Sequence, residues 1–375
     1  MQDYLRIMEP SDQLRLPYLP RRIEVAREQS GLHQADLAKK LGLNDRQTIA
    51  QMESGQRRVS PDELVALMEA TGKDFEFFTD PFLLVGEGAF SYRASGIKES
   101  TVDSFEERAG RWIALWRHLG IRREEVPTAL RRGLALNNRS LYEDAQLAGE
   151  AVAQELKLGK VPAQKLVEAI ESTLNILVLH VDMPSGVSGV AVKVPTGDAI
   201  LINRHESSGR RAFDLAHELF HVLTWDAMPP ARVDRQNPTG YKEKRIEQLA
   251  DNFAAALLMP ASEIKLRWEK RASLPVAGWV KAAASHFDVS ADAVCYRLVA
   301  LGLAEKAELP IGATTATRSP GSEPPAFSRR FIERLSWGIE NGEISVRKML
   351  EVLGITLKDF RNSAEAHGIR VEIGL

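Results

Sequence analysis

Five consecutive residues, His217-Glu218-Leu219-Phe220-His221, hold the densest chemistry in the chain. On a helix, positions i and i+4 share one face, so both imidazoles can converge on a single divalent cation. Glu218 then lies about 100° around the helix from His217, where its carboxylate reaches a water on that cation without ligating it. A catalytic zinc keeps three protein ligands and one open position, so a third ligand is required. Glu247 and Asp251 stand one turn apart on a later helical stretch. That spacing suits one carboxylate for the metal and another to accept the far N–H of a ligand histidine. Glu243, one turn earlier, satisfies the same spacing. It sits among Lys242, Lys244 and Arg245, as a solvated helix start does. Glu247 is followed by Leu249, Ala250, Phe253 and Ala254, as a buried ligand would be. The ligand types point to Zn2+, with Mn2+ able to occupy such a site in vitro.

Two helices and a small sheet must position these groups. Leu174 to Val181, Val187 to Val194 and Ala199 to Asn203 are short β-branched or aliphatic runs separated by Pro-Ser-Gly and Pro-Thr-Gly-Asp, which predicts an antiparallel or mixed sheet. Helix resumes near Gly209 and carries the histidine pair. A loop from Trp225 to Thr239 holds three prolines, and a second helix runs from about Lys242 to Met259, where Pro260 stops it. Two more helices are expected within 277–303. Ala148, Ala151, Val152 and Leu156 recur at helical spacing within 101–172, whereas 80–100 shows no clear period.

The first 80 residues read differently. From Pro20 to about Thr79 the pattern predicts four or five short helices. Gly42 and Gly55 close the second and third, and Ser60, Pro61 and Glu63 form a capping box at the start of the fourth. Between residues 19 and 60 there are eight Lys/Arg against five Asp/Glu, a local excess of +3 in a chain of 375 residues whose net charge is −2. A basic module at one end of a near-neutral chain is what nucleic-acid binding expects. The 44% apolar content supports real cores, and the single cysteine, Cys295, excludes an internal disulfide framework, which fits a reducing compartment. No apolar run approaches the length of a membrane span, and the segment from Met1 to Pro20 lacks the pattern of a signal peptide. A cytoplasmic protein without membrane partners is expected.

Gly31-Leu-His-Gln34-Ala-Asp-Leu-Ala38-Lys-Lys-Leu41-Gly42, followed by Thr48-Ile49-Ala-Gln-Met52-Glu53-Ser-Gly55, resembles the XRE/Cro-type helix-turn-helix. That resemblance implies a double-stranded DNA operator as partner and a recognition helix whose start presents Arg46, Gln47, Ala50 and Gln51 to base edges, with Gln34, Arg57 and Arg58 on phosphate. The turn Leu43-Asn44-Asp45-Arg46 is one residue longer than the usual family spacing, which leaves the helix register open by one. Such modules often dimerise, so a homodimer is a further expectation.

Arg211-Ala-Phe-Asp-Leu-Ala-His217-Glu-Leu-Phe-His221-Val-Leu, then Glu247-Gln-Leu-Ala-Asp251-Asn-Phe-Ala-Ala-Ala-Leu-Leu-Met-Pro260, resembles the ImmA/IrrE family of metallo-endopeptidases over roughly residues 145–305. The resemblance implies His217, His221 and Glu247 as zinc ligands, Glu218 as general base, and a protein substrate such as a helix-turn-helix repressor. Asp251 is the expected orienter of a ligand histidine. Phe220 is bulky where small residues are common in the family, which suggests a narrowed cleft. Tyr241 and His205 are candidates to stabilise an oxyanion. A substrate strand is expected along a sheet edge near Ile200 to Asn203.

The expected fold class is α+β, mostly helical. Its parts are an N-terminal extension (1–19), a helix-turn-helix domain (20–80), a helical connector (81–144), a zincin-like, gluzincin-type domain (145–305), a Pro/Ser/Thr linker (306–326) and a C-terminal helical segment (327–375). The functional expectation is a zinc-dependent endopeptidase and transcriptional regulator. The alternatives are a DNA-binding regulator whose zincin-like domain senses without turnover, and an antitoxin-like autoregulator. Cys295 reads as a buried structural thiol. His33, His118, His180, His286 and His367 lack partners at metal spacing. Arg131-Arg132 and Arg329-Arg330 read as solvated faces, and Trp112 and Trp116 as core.

Overall fold

The computed structural model describes residues 18–94, 97–123, 125, 133–194, 197–235, 241–271, 274–312 and 323–371. These fall into two compact units. The first holds the described residues up to Gly88 together with Ala109–His118, and the second holds Ala89–Arg108 and the described residues from Leu119 onward. Helices dominate both, and the sheet belongs to the second, as the α+β reading expects.

Five helices build the first unit: α1 (Leu19–Gln29), α2 (Gln34–Lys40), α3 (Arg46–Glu53), α4 (Pro61–Thr71) and α5 (Phe75–Thr79). Gly42 and Gly55 adopt φ of +67° and +73° just past α2 and α3, where a side chain would be strained. The Ser60 hydroxyl accepts from the Glu63 N–H, and the Glu63 carboxylate returns to the Ser60 N–H at 2.9 Å, so the capping box is closed. Ile23, Ala26, Leu37, Ala38, Ile49, Met52, Leu67 and Phe78 pack as one core. Arg22 is fully buried beneath this bundle. Its Nη2 donates to the carbonyls of Asp80 and Leu83 at 2.8 Å, and its guanidinium lies 4.1 Å over the Tyr18 ring. One of the eight cations counted in the basic module therefore serves the interior.

In the second unit, β1 (Ala89–Ala94) is followed by α6 (Glu99–Arg122), whose middle is counted with the first unit. Next come α7 (Tyr142–Glu155), α8 (Leu166–Ala169), β2 (Leu177–Val181), β3 (Val187–Lys193), β4 (Ala199–Asn203), α9 (Ser208–Thr224), β5 (Val233–Arg235) and α10 (Tyr241–Leu258). Then follow α11 (Ala261–Glu269), α12 (Val276–Phe287), α13 (Ala291–Ala300), α14 (Arg329–Glu340), α15 (Val346–Leu353) and α16 (Leu357–Ala366). The sheet is mixed, in the order β2-β4-β3-β1-β5. β2 is parallel to β4, β3 antiparallel to β4 and β1, and β5 parallel to β1.

Two expectations are corrected here. The stretch 81–144 is not wholly helical, because Ala89–Ala94 forms a strand paired with β3. β4 is not an edge either. Its backbone groups are shared between β2 and β3, so no further chain can add along Ile200 to Asn203.

α9 packs on the sheet through β3 and β4, and α10 packs on α9 and α7. Gly149 makes the α7–α10 crossing possible, since a Cβ there would stand 2.4 Å from the Phe253 carbonyl oxygen. Cys295 is fully buried in this core, as expected. Phe220 is fully buried against Phe253, with ring centroids 5.6 Å apart. Its bulk therefore fills the core, and the expectation that it narrows a cleft is not met. The C-terminal helices belong to the same unit. The Phe327 N–H donates to the His180 carbonyl of β2 at 2.7 Å, and the Ser328 hydroxyl to Glu171 at 2.6 Å.

Candidate metal centre

Ser207 caps α9, its hydroxyl accepting from the Arg210 N–H, and the helix then runs unbroken through both histidines. His217, Glu218 and His221 are 1%, 1% and 2% exposed. The two Nε2 atoms stand 3.1 Å apart. Glu247 on α10 brings Oε2 to 3.1 Å from the His217 Nε2 and Oε1 to 3.3 Å from the His221 Nε2. One ligand atom from each of the three residues lies within 4.8 Å of the others. Glu243, by contrast, is exposed.

This set suits a metal on chemical grounds. Two imidazole nitrogens at 3.1 Å repel through their lone pairs unless a cation lies between them, whether proton or metal. Ligands about 2.0–2.1 Å from a tetrahedral ion stand roughly 3.3 Å from one another, close to the separations seen. Two imidazoles and one carboxylate are the donors of an open zinc site.

The surroundings orient the ligands. Asp251, one turn beyond Glu247, places Oδ1 2.9 Å from the His217 Nδ1, which leaves that ring's Nε2 for the metal. Among the described residues His221 has no equivalent partner on Nδ1. The Glu218 carboxylate lies against Gly189 of β3, where a Cβ would stand 3.0 Å from its Cγ and Oε1. A side chain at 189 would press on that carboxylate, and the Glu218 Oε1 is buried there without a hydrogen-bond partner.

Arg93 also enters this site, and sequence reasoning did not find it. It lies on β1 directly opposite Gly189. Its Nη1 is 3.4 Å from the Asp214 Oδ1 and its Nη2 3.6 Å from the Asp251 Oδ1. Asp214, fully buried, also accepts from the Arg210 Nε at 2.9 Å. No spacing rule could flag one arginine in a six-residue strand.

Burial and pairing set the charges. Burial and the Arg93 charge both oppose protonation of His217, but Glu247 and Asp251 outweigh them and push its pKa up to about 10. Burial raises the Glu218 carboxyl, against the pull of both histidines and Arg93. Burial also opposes ionisation of Asp251, yet the His217 hydrogen bond and the nearby charges of His217 and Arg93 hold it below the usual carboxylate range. Of the two oxyanion candidates, His205 is paired with Asp182 at 2.8 Å and Glu323 at 3.0 Å. The Tyr241 side chain lies outside the described residues.

In the first unit α3 begins at Arg46, with Asp45 as its N-cap accepting from the Gln47 N–H at 3.0 Å, and this fixes the helix register. Arg46, Gln47 and Arg58 are exposed, while Ala50 and Gln51 are half-buried. Gln34 donates to Glu53 at 2.7 Å, in a cluster that Arg27 joins at 2.6 Å. Arg57 is paired with Glu63 at 2.7 Å. Two of the expected phosphate contacts are thus engaged within the unit itself.

No curated protein matches this chain. Among solved structures, a Mycobacterium tuberculosis transcriptional regulator is similar at 20% identity with a TM-score of 0.34, over 56% of this chain and 54% of that one. The match thus spans about half the length of that solved chain. Family models match in two places that agree with the two units' contents. The chain carries a helix-turn-helix domain over residues 23–78, followed by an IrrE N-terminal-like domain, of metallopeptidase-type fold, over residues 172–299.

Proposed function

We propose that this protein is a zinc-dependent endopeptidase joined to a DNA-binding transcriptional regulator. The observation that carries the reading is the convergence of the His217, His221 and Glu247 donor atoms within 4.8 Å, with the Glu218 carboxylate buried beside them. Bound zinc would supply a Lewis acid that polarises a carbonyl and acidifies a water. His217 and His221 present Nε2 to it, and Glu247 presents its carboxylate. Asp251 holds the His217 ring. Glu218 takes a proton from the attacking water as that water's oxygen bonds to the scissile carbonyl carbon. It then passes the proton to the amine nitrogen as the C–N bond breaks. A helix-turn-helix repressor is the substrate class this reading favours, and Arg46 and Gln47 at the exposed start of α3 are the groups it places on an operator.

A second reading is favoured by the near-complete burial of both histidines and Glu218: a regulator whose zincin-like domain senses without turnover. Zinc-loaded wild type and Glu218→Gln, each incubated with candidate repressors, separate the two. Cleavage by wild type alone supports the peptidase. Equal loss of intact repressor in both sinks it, and no cleavage alongside operator binding favours the sensor. For the DNA-binding half, an Arg46→Ala/Arg58→Ala variant should bind operator more weakly and with a shallower salt dependence.

A further inference from the structure

The metal ligands come from α9 and α10, within the segment that matches the IrrE-like model, but the charge beside them does not. Arg93 sits on β1, far upstream of residues 172–299. Its strand pairing places it opposite Gly189, and residues opposite one another on neighbouring strands project to the same face. That face is the one on which the Glu218 carboxylate fills the space beside Gly189. The β1–β3 register slips between Arg93 and Ala94, a local irregularity of the kind that re-aims side chains near active sites.

The guanidinium spans two carboxylates of different elements, Asp214 on α9 at 3.4 Å and Asp251 on α10 at 3.6 Å. Asp251 is the group that holds the His217 Nδ1 at 2.9 Å. Arg93 is only 18% exposed, and its Nη1 is buried without a hydrogen-bond partner. A planar fork can bridge two carboxylates at fixed angles, which an ammonium cannot do.

We propose that Arg93 is a positioning residue of the metal centre, clamping Asp251 of α10 to Asp214 of α9 so that Asp251 holds the His217 ring with its Nε2 toward the ion. The inference rests on the zinc reading given above. It predicts an effect opposite in sign to that of a bystander charge. Deleting a cation near a dication's site should tighten binding by relieving repulsion. Deleting the clamp should loosen it, since loss of a group that orients a ligand typically costs about 10–100-fold in metal affinity.

The test uses the full chain and measures Zn2+ affinity by competition with a chromophoric chelator, together with the visible spectrum of the Co2+-loaded protein. Arg93→Gln should bind Zn2+ about 10–100-fold more weakly and alter the Co2+ bands. Arg93→Lys, which keeps the charge without the fork, should also bind more weakly than wild type. Asp251→Asn should weaken binding, and adding Arg93→Gln to it should change little further, because both act through the same ring. Arg93→Gln removes one of the two cations paired with buried Asp214 and leaves it Arg210, so Arg93→Gln/Asp214→Asn guards against misfolding and should show the same weakened affinity with a wild-type melting profile. Unchanged or tighter Zn2+ binding by a folded Arg93 variant overturns the proposal and leaves the zinc site standing. A wild-type chain that takes up no Zn2+ overturns both.

Discussion

In the first unit, the boundaries of α2, α3 and α4 are set by residues within a turn of them: Asp45 caps α3, Ser60 and Glu63 cap α4, and Gly42 and Gly55 end α2 and α3. In the second unit, the groups that matter arrive from residues 93, 189, 217–221 and 247–251 and meet only once a sheet and two helices have packed. The first arrangement spreads its stability over many small local terms. The second concentrates buried charge at one place and depends on close packing to keep it there. A change at a helix cap should therefore be mild, and one at a packing contact of the second unit severe.

Gly149→Val tests the severe end. Its side chain would collide with backbone where α7 crosses α10, at a position 2.4 Å from a carbonyl oxygen for the Cβ alone. No flexible side chain can yield there, so a loss of roughly 3 kcal/mol or more is expected, read as a collapsed thermal transition. An unchanged melting profile would mean that the crossing is looser than drawn.

The next effect depends on pH. Burial, with the Arg211 and His367 charges, lowers the His180 pKa to about 4, whereas an unfolded histidine titrates near 6.5. The unfolded chain therefore binds more protons between these values. Stability is full above about 6.5 and falls by up to about 3 kcal/mol as pH drops toward 4. His180→Gln should flatten that slope in denaturant titrations. His217 behaves oppositely. Its raised pKa means that Zn2+ must displace a proton, so apparent Zn2+ affinity should rise with pH by up to about tenfold per unit below 10. A pH-independent affinity between 6 and 8 would contradict the paired, protonated ring. In the metal-free protein, the stability that this pairing lends is present below about 6.5 and is lost as pH rises through about 10.

Ser60→Ala gives the smallest change, about 1 kcal/mol from loss of the capping box. If it unfolded the first unit, the view of that unit as a sum of small local terms would be wrong.

The same contrast explains what the sequence disclosed. Helix ends in the first unit were legible because caps and glycines act over one turn. The histidine pair was legible because a helix turns spacing into a face, and Glu247 because apolar residues follow it. Arg93 was not, because its meaning depends on pairing with a strand almost a hundred residues away. The interior place of β4 was hidden for the same reason, since a strand's neighbours are not written in its own residues. Nor could Gln34 and Arg57 reveal their partners Glu53 and Glu63, which other helices supply or fold back.

The hydrogen bond from Phe327 to His180 has a consequence for solubility. β2 ends the sheet, and its five residues, Leu-Val-Leu-His-Val, are of the kind that readily recruit a strand from another molecule. The backbone at Phe327 takes one of the outward carbonyls, and the adjoining Ser328 is bonded to Glu171 beside the start of that strand. The helices from α14 to α16 thus act as a guard against self-association, and a chain shortened before Phe327 should aggregate sooner on heating, as light scattering would show.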